Sequence, residues 1–422
     1  MSSIDLLIYN AGELLTLAGT SQPLRGPAMN DPGIIRDGAV AIHDGRITAV
    51  GPTKELRRRF QAEEVIDVSG RVVMPGFVDP HTHLIFAGSR EDEFEMRLRG
   101  AGYMEIMRAG GGIMRTVRDT RAASDSDLII QAKQRLAKML THGTTTAEVK
   151  SGYGLTTADE LRIFDVIEQL NACQPVELVP TFLGAHAVPA EYAGEPDTYV
   201  NLILDEMLPA IAERYSGRLP FCDVFCEEGA FSLAQSRRIL ERAKALGFPL
   251  KLHADEFKPL GGTRLAVELE AISVDHLVCT PSDELSYLAG SDTIAISLPG
   301  TPFGLGQIHY SPARALIDQG GILALATDLN PGTCYCESMP FIIALACRMM
   351  HISPAEAITA STLNAACAIG RGAETGSLEV GKQGDIIVLD LPNHRHLPYR
   401  FGTNPIALVI KRGRVVWGNP KF

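Results

Sequence analysis

Between about residue 75 and residue 370, short apolar runs alternate with amphipathic stretches, and this rhythm restricts the fold more than any other feature of the chain. Thr144 to Val149 and Phe248 to His253 read as buried strands. Leu128, Ile129, Leu136, Met139 and Leu140 mark one helix face, which Gly143 can end. Leu161, Phe164, Ile167 and Leu170 mark a second, and Thr157 with Glu160 predicts its capping box. Ser232 with Gln235 opens a third helix, closed near Gly247. Ser353-Pro354 with Glu356 opens a fourth, with proline at its first position. Alternation over about 300 residues implies a parallel sheet with crossover helices. A doubly wound sheet and a (β/α)8 barrel both satisfy it, and periodicity does not separate them.

The ends have a different rhythm. Leu6-Leu7-Ile8, Leu14-Leu15, Val40-Ala41-Ile42 and Ile47 to Val50 are short apolar runs, and Asp44-Gly45 between the last two is a hairpin signal. Arg25 to Gly33, with two prolines and two glycines, reads as a loop. Strands return at Asp385 to Leu389 and Ala407 to Ile410, and Arg412-Gly413-Arg414 turns into Val415-Val416-Trp417. We therefore expect residues 1–74 and 374–422 to form one small β domain around a barrel spanning 75–373. At 422 residues the chain has ample length for this.

Lys and Arg number 39 against 50 Asp and Glu, a net charge of −11, which argues against a nucleic-acid partner. The eight cysteines form no C-x-x-C pair and suit free thiols in a reducing compartment. No basic stretch precedes the first apolar residues, so no signal peptide is expected. The apolar runs are too short to span a bilayer, so no membrane partner is expected either. A cytoplasmic protein is the expectation.

The sharpest local feature is Val72-Val-Met-Pro-Gly-Phe-Val-Asp-Pro-His-Thr-His83. Residues two apart on a strand face the same way, so His81 and His83 can grip one ion at a strand end. A His-x-His pair alone is weak evidence. A second pair, His394 and His396, lies between prolines in the tail and reads as a loop or packing feature. Two further strand ends strengthen the first pair: Leu250-Lys-Leu-His253, and Ile322-Leu-Ala-Leu-Ala-Thr-Asp328. Three His and one carboxylate suit zinc or ferrous iron. In a barrel the C-terminal strand ends converge on one face, where ligands distant in sequence can meet.

These residues resemble the amidohydrolase superfamily, whose entry motif matches Pro75-Gly-Phe-Val-Asp-Pro-His-Thr-His83. The resemblance implies a (β/α)8 TIM-like barrel with a composite β-sandwich from both termini. Within the superfamily the chain looks like the imidazolonepropionase family. The matching segments are 81–90 (HTHLIFAGSR), 110–113 (GGGI), 148–155 (EVKSGYGL), 181–189 (TFLGAHAVP), 253–256 (HADE) and 326–333 (ATDLNPGT). Thr333 stands where serine is more usual, and both carry a hydroxyl.

The resemblance implies one divalent metal, zinc or iron, on His81, His83, His253 and Asp328. Lys150, placed like the carboxylated bridge of binuclear relatives, is followed by the Ser-Gly-Tyr of the mononuclear family. The implied small-molecule substrate is 4-imidazolone-5-propanoate, a cyclic amide opened by water to N-formimidoyl-L-glutamate. Asp328 is the candidate for taking the water's proton, with Glu256 as the alternative proton carrier. His276, after Ile272-Ser-Val-Asp275, is placed to bond the water or a developing oxyanion. Arg90 is carried over as the cation for the propanoate, and Tyr153 and His186 as contacts to ring or carboxylate. Tyr103 is a further candidate, and Asn330, Gly332 and Thr333 are expected to hold substrate or product. A homodimer is the expected assembly. Two other readings stay open on the sequence: a deaminase of a nitrogen heterocycle, which would not require Arg90, and a non-catalytic scaffold on the same barrel.

Overall fold

The computed structural model describes residues 2–421 apart from Thr20, 102–104 and 106–108. Eight parallel strands lie side by side: Phe77–Asp79, Thr144–Lys150, Glu177–Ala185, Phe221–Cys226, Lys251–Ala254, Ser273–His276, Ile294–Ser297 and Leu323–Leu325. Nearly every residue in them is buried, as expected of strands covered on both faces. The first and eighth strands meet just beyond their ends. Thr327 N–H donates to Asp79 Oδ1 (3.0 Å), Asp328 N–H to the His81 carbonyl (3.1 Å) and His83 N–H to the Leu329 carbonyl (2.9 Å). The result is a (β/α)8 barrel.

The helices between the strands are set by their caps. Asp125–Thr141 starts at Ser124, whose hydroxyl accepts from Asp127 N–H, and buries Leu128, Ala132, Leu136, Met139 and Leu140. Capping boxes form at Ser232 with Gln235 and at Ser353 with Glu356. The box expected at Thr157 does not form. Helix Thr157–Cys173 is capped one residue earlier by Thr156, which accepts from Asp159 N–H. Either threonine can cap, and the choice falls on Thr156 because the Glu160 carboxylate is taken by the preceding loop.

Two further sheets come from the chain ends. One is four-stranded, in the order Arg46–Pro52, Gly38–His43, Ser2–Ala11, Phe60–Asp67. The other is six-stranded and mixes both termini: Arg414–Gly418, Ile406–Lys411, Ile386–Leu389, Val72–Pro75, Glu13–Leu15, Ile34–Ile35. Leu6, Ile8, Val40, Ile42 and Ile66 of the first pack with Leu14, Val73, Ile386, Val388 and Ile410 of the second. Asp44 and Gly45 both take positive φ (50° and 71°), the turn that matches strand twist in a two-residue hairpin. Arg25 to Gly33 contains one short 3-10 turn, Gly26–Asn30. His394 is a packing residue: its N–H and Nδ1 bond the buried Glu13 carboxylate at 2.8 and 2.9 Å, tying the tail to the second strand. Val73 sits in the six-stranded sheet while Val78 starts the barrel, so His81 follows directly from the junction.

Candidate active site

The seam of the barrel builds the centre. His81 and His83 flank Thr82, which bridges to Leu329, so both imidazoles turn inward beside Asp328. His81 Nε2 lies 3.3 Å from His83 Nε2, and each lies 3.5 Å from Asp328 Oδ1. The His253 ring centroid is 4.4 Å from that of His81 and 5.6 Å from that of His83. Register places His253 beside Asp275 and Ala254 beside His276 on the sixth strand. Asp255, His276, Leu277 and Asp328 take positive φ (57°, 80°, 61° and 54°), a cost of about 1–3 kcal/mol each that clusters at this rim.

The donors fit a cation. His253 Nε2 and His83 Nδ1 are buried with no hydrogen-bond partner among the described residues. Burial pushes His81 and His83 well below the usual imidazole range, so both are neutral and offer lone pairs. His81 Nδ1 donates to Asp275 Oδ2 (2.6 Å), and His253 Nδ1 lies 2.9 Å from Asp223 Oδ2. Carboxylates on these outer nitrogens leave each Nε2 free to face the centre. Among the described residues His81, His83 and Asp328 come close enough together to hold one divalent metal, and His81 does so separately with His253 and His276.

Below the centre lies a layer of buried ions that we did not anticipate from the sequence. Lys150 Nζ is 2.6 Å from Asp223, 2.9 Å from Glu148 and 3.6 Å from Asp275. Lys251 Nζ lies 2.9 Å from Glu148 and donates to the Pro80 carbonyl (2.9 Å). Burial alone would lower the Lys150 pKa, but Asp223, Glu148 and Asp275 raise it, so the amine is a charged ion-pair partner. The signal was present: Glu148 and Lys150, two apart in an apolar strand, must face the same interior. Lys150→Met leaves three carboxylates short of a partner. It should destabilise the protein by about 3–5 kcal/mol, read as a lower urea midpoint; an unchanged midpoint would refute this.

Glu256 and His276 face the same centre. His276 Nε2 is 3.7 Å from Glu256 Oε2. Burial, then Asp328 and Glu227, push Glu256 well above the usual carboxylate range, and burial keeps His276 neutral. Burial also raises Asp328, to about 6. Its Oδ2 accepts from the Thr301 hydroxyl (2.5 Å), which orients the carboxylate. Glu227, another residue not foreseen, accepts from Phe257 N–H (2.9 Å) and Lys258 N–H (3.3 Å) and so pins the loop that carries Glu256.

Arg90 stands at the start of helix Glu91–Leu98 with its guanidinium mostly buried. Glu93 accepts from its Nε at 2.9 Å, so one of the three neighbouring acids holds the cation in place. Gly332 presses on its other face, where a Cβ would lie 2.3 Å from Nη1. Asn330, Gly332 and Thr333 form one turn. Asn330 Oδ1 accepts from Gly332 N–H and Thr333 N–H, both at 2.8 Å, and its Nδ2 donates to the Asp328 carbonyl (2.7 Å). The Asn330 amide therefore builds the turn that seats Arg90. Tyr153 and His186 lie on the side of His83: the His186 ring stacks on His83 (4.8 Å, 16°), and the Tyr153 ring is 5.2 Å from His186. Tyr103 lies outside the described residues. A cavity of about 580 Å³ opens beside Arg90, lined by Phe94, Arg97, Phe303, Gly332 and Tyr335. A larger groove, about 1110 Å³, lies by Glu177 and Arg412 and contains none of these groups.

Neutral imidazoles and carboxylates at the C-terminal mouth of a parallel barrel are the setting in which metal-dependent hydrolases work. Residues 72–416 match the amidohydrolase family, and residues 38–60 match an imidazolonepropionase-like composite domain of bacteria. The imidazolonepropionase of Herpetosiphon aurantiacus is 55% identical over 99% of both chains. That of Symbiobacterium thermophilum is 52% identical over 99% of this chain and 98% of its own. The fold is shared with an adenosine deaminase from Xanthomonas campestris with bound zinc (TM-score 0.75, 19% identity, 100% and 94% of the two chains). It is shared as well with guanine deaminase of E. coli (TM-score 0.72, 16% identity, 98% and 99%). The chain belongs to the amidohydrolase family and, within it, to the imidazolonepropionases.

Proposed function

We propose that this chain opens the ring of 4-imidazolone-5-propanoate with water, a step of histidine degradation that yields N-formimidoyl-L-glutamate, and that its own residues divide the work as follows. The observation that carries the reading is the convergence of His81, His83 and Asp328 within 3.5 Å in a chain 55% identical to an imidazolonepropionase. His81, His83, His253 and Asp328 hold one divalent ion, which supplies a Lewis acid and lowers the pKa of water toward about 7. Zinc is the resident ion we favour, with ferrous iron accepted by the same donors.

Water adds to the ring carbonyl carbon, and the bond from that carbon to the ring nitrogen breaks. Asp328 takes the proton of the attacking water. Glu256, whose buried carboxyl holds a proton readily, protonates the leaving nitrogen. His276 bonds the oxygen on which charge develops. Arg90 binds the propanoate, and Tyr153 and His186 fix the ring. Asn330, Gly332 and Thr333 close over the carboxylate through the turn that seats Arg90.

We further propose a homodimer in the cytoplasm, with residues 1–74 and 374–422 forming one domain around the 75–373 barrel. All eight cysteines are unpaired, in keeping with a reducing compartment. No helix among the described residues is long and apolar enough to cross a membrane.

The test follows the ultraviolet absorbance of the substrate, made in situ by urocanase, with purified protein. Fast loss of absorbance, formiminoglutamate as product, and abolition by chelation are expected. A folded, metal-loaded sample that leaves the absorbance unchanged would refute the assignment. Ammonia release from guanine, cytosine or adenosine would favour a deaminase instead.

A further inference from the structure

The one acid of the first turn of helix Thr157–Cys173 that points inward, Glu160, is buried, and no ion pair to it forms among the described residues. Its partners are the Ser151 side chain and a set of backbone donors. Oε1 accepts from Leu155 N–H (2.7 Å), Gly154 N–H (2.9 Å) and Gly152 N–H (3.2 Å), and Oε2 accepts from Gly152 N–H (3.0 Å). A buried carboxylate is tolerated only with such compensation, and here all of it comes from the loop that carries Tyr153. The loop fits only because two of its residues lack a Cβ. At Gly152 (φ +104°) a Cβ would lie 2.9 Å from His186 Nδ1, and at Gly154 it would lie 2.8 Å from Glu160 Oε1.

The carbonyl of the same residue, Gly152, acts on a second group. The Gly152 carbonyl accepts from His186 Nδ1–H at 3.0 Å. With its proton on Nδ1, His186 keeps Nε2 as an acceptor. The His186 ring in turn stacks on His83. One carboxylate thus holds the N–H of Gly152 while the carbonyl of the same residue fixes the His186 tautomer. A carboxamide at this position would keep one acceptor oxygen but aim its NH2 at Gly152 N–H, donor against donor.

We propose that Glu160 is a positioning residue for the substrate pocket, setting Tyr153 and His186 through the Gly152–Leu155 backbone. The proposal rests on the reading above that Tyr153 and His186 face the substrate. The test measures kcat, KM, metal content and thermal midpoint for wild type, Y153F, E160Q and the double variant E160Q/Y153F. E160Q is expected to raise KM about five- to tenfold, with kcat within about threefold and metal retained. In the Y153F background the same change should shift KM by a smaller factor than in wild type, because the part of its route that runs through Tyr153 is already gone while the part through His186 remains. Gly154→Ala, whose Cβ would meet the Asp159–Glu160 peptide at 2.7 Å and Glu160 Oε1 at 2.8 Å, displaces the loop from Glu160. It should reproduce the rise in KM and serves if E160Q folds poorly.

KM within about twofold of wild type in folded E160Q, or losses that multiply fully with Y153F, would overturn the role of Glu160. Unchanged KM in Y153F itself would remove Tyr153 from the substrate and take this proposal with it, an outcome distinct from failure of Glu160 alone.

Discussion

Asp328→Asn should lower kcat on the order of 10⁴-fold or more. Two losses coincide at one atom group. The carboxamide cannot take the water's proton, which as general-base catalysis alone is worth about 10² to 10⁴. It also removes the carboxylate that faces both His81 and His83, whose Nε2 atoms lie 3.5 Å from Asp328 Oδ1. The substitution keeps shape, and the amide oxygen can still accept from the Thr301 hydroxyl, so the rim need not collapse. Metal content decides between the two losses. Full metal with kcat gone assigns the loss to proton transfer, whereas depleted metal assigns it to ligation. Activity within tenfold of wild type would refute both roles.

The convergence of these side chains was legible because each donor stands at the end of an apolar run. His81 and, two residues on, His83 follow Phe77-Val-Asp-Pro, His253 follows Leu250-Lys-Leu, and Asp328 follows Leu323-Ala-Leu-Ala-Thr. A parallel barrel gathers such ends on one face, so position in the strand carried spatial information that sequence distance hid. The layer beneath was not legible by the same rule. Asp223 and Asp275 sit inside or at the end of strands where a carboxylate reads as an edge residue, and only the closed barrel reveals that both meet Lys150. Their role on the outer nitrogens of His253 and His81 depends on register, which pairs His253 with Asp275 and is not written in any single segment.

Boundaries were lost for a local reason. The strand expected from Phe248 is regular only over Lys251–Ala254, because Leu250 makes an isolated bridge to Cys222 rather than a ladder. The cap at Thr156 and the loop grip of Glu160 were confused because a carboxylate at that spacing commonly closes a capping box. Arg90 shows the opposite case. Its run of acidic neighbours looks like a solvated surface, yet Glu93 is buried and holds the guanidinium against Gly332. Only the resemblance to a family distinguished the two on sequence.

That grip makes Arg90→Ala the second large expected effect. Truncating one member of a buried, hydrogen-bonded charge pair costs about 2–5 kcal/mol, which in kcat/KM corresponds to about 30- to 5000-fold. Most of the loss should appear in KM, since the propanoate is remote from the bond that breaks and is bound alike in ground and transition states. Arg90→Lys should recover only part, because an ammonium cannot meet a carboxylate with two parallel N–H bonds. The variant also leaves Glu93 without its guanidinium, although Gly112 N–H still donates to it at 3.0 Å. A lower thermal midpoint is therefore expected and must be separated from the kinetic effect. The neutral propanamide analogue does so. Wild type should prefer the acid strongly, whereas Arg90→Ala should handle acid and amide alike, whatever its stability. Retained preference for the acid in that variant, or an unchanged kcat/KM, would place the carboxylate elsewhere in the pocket.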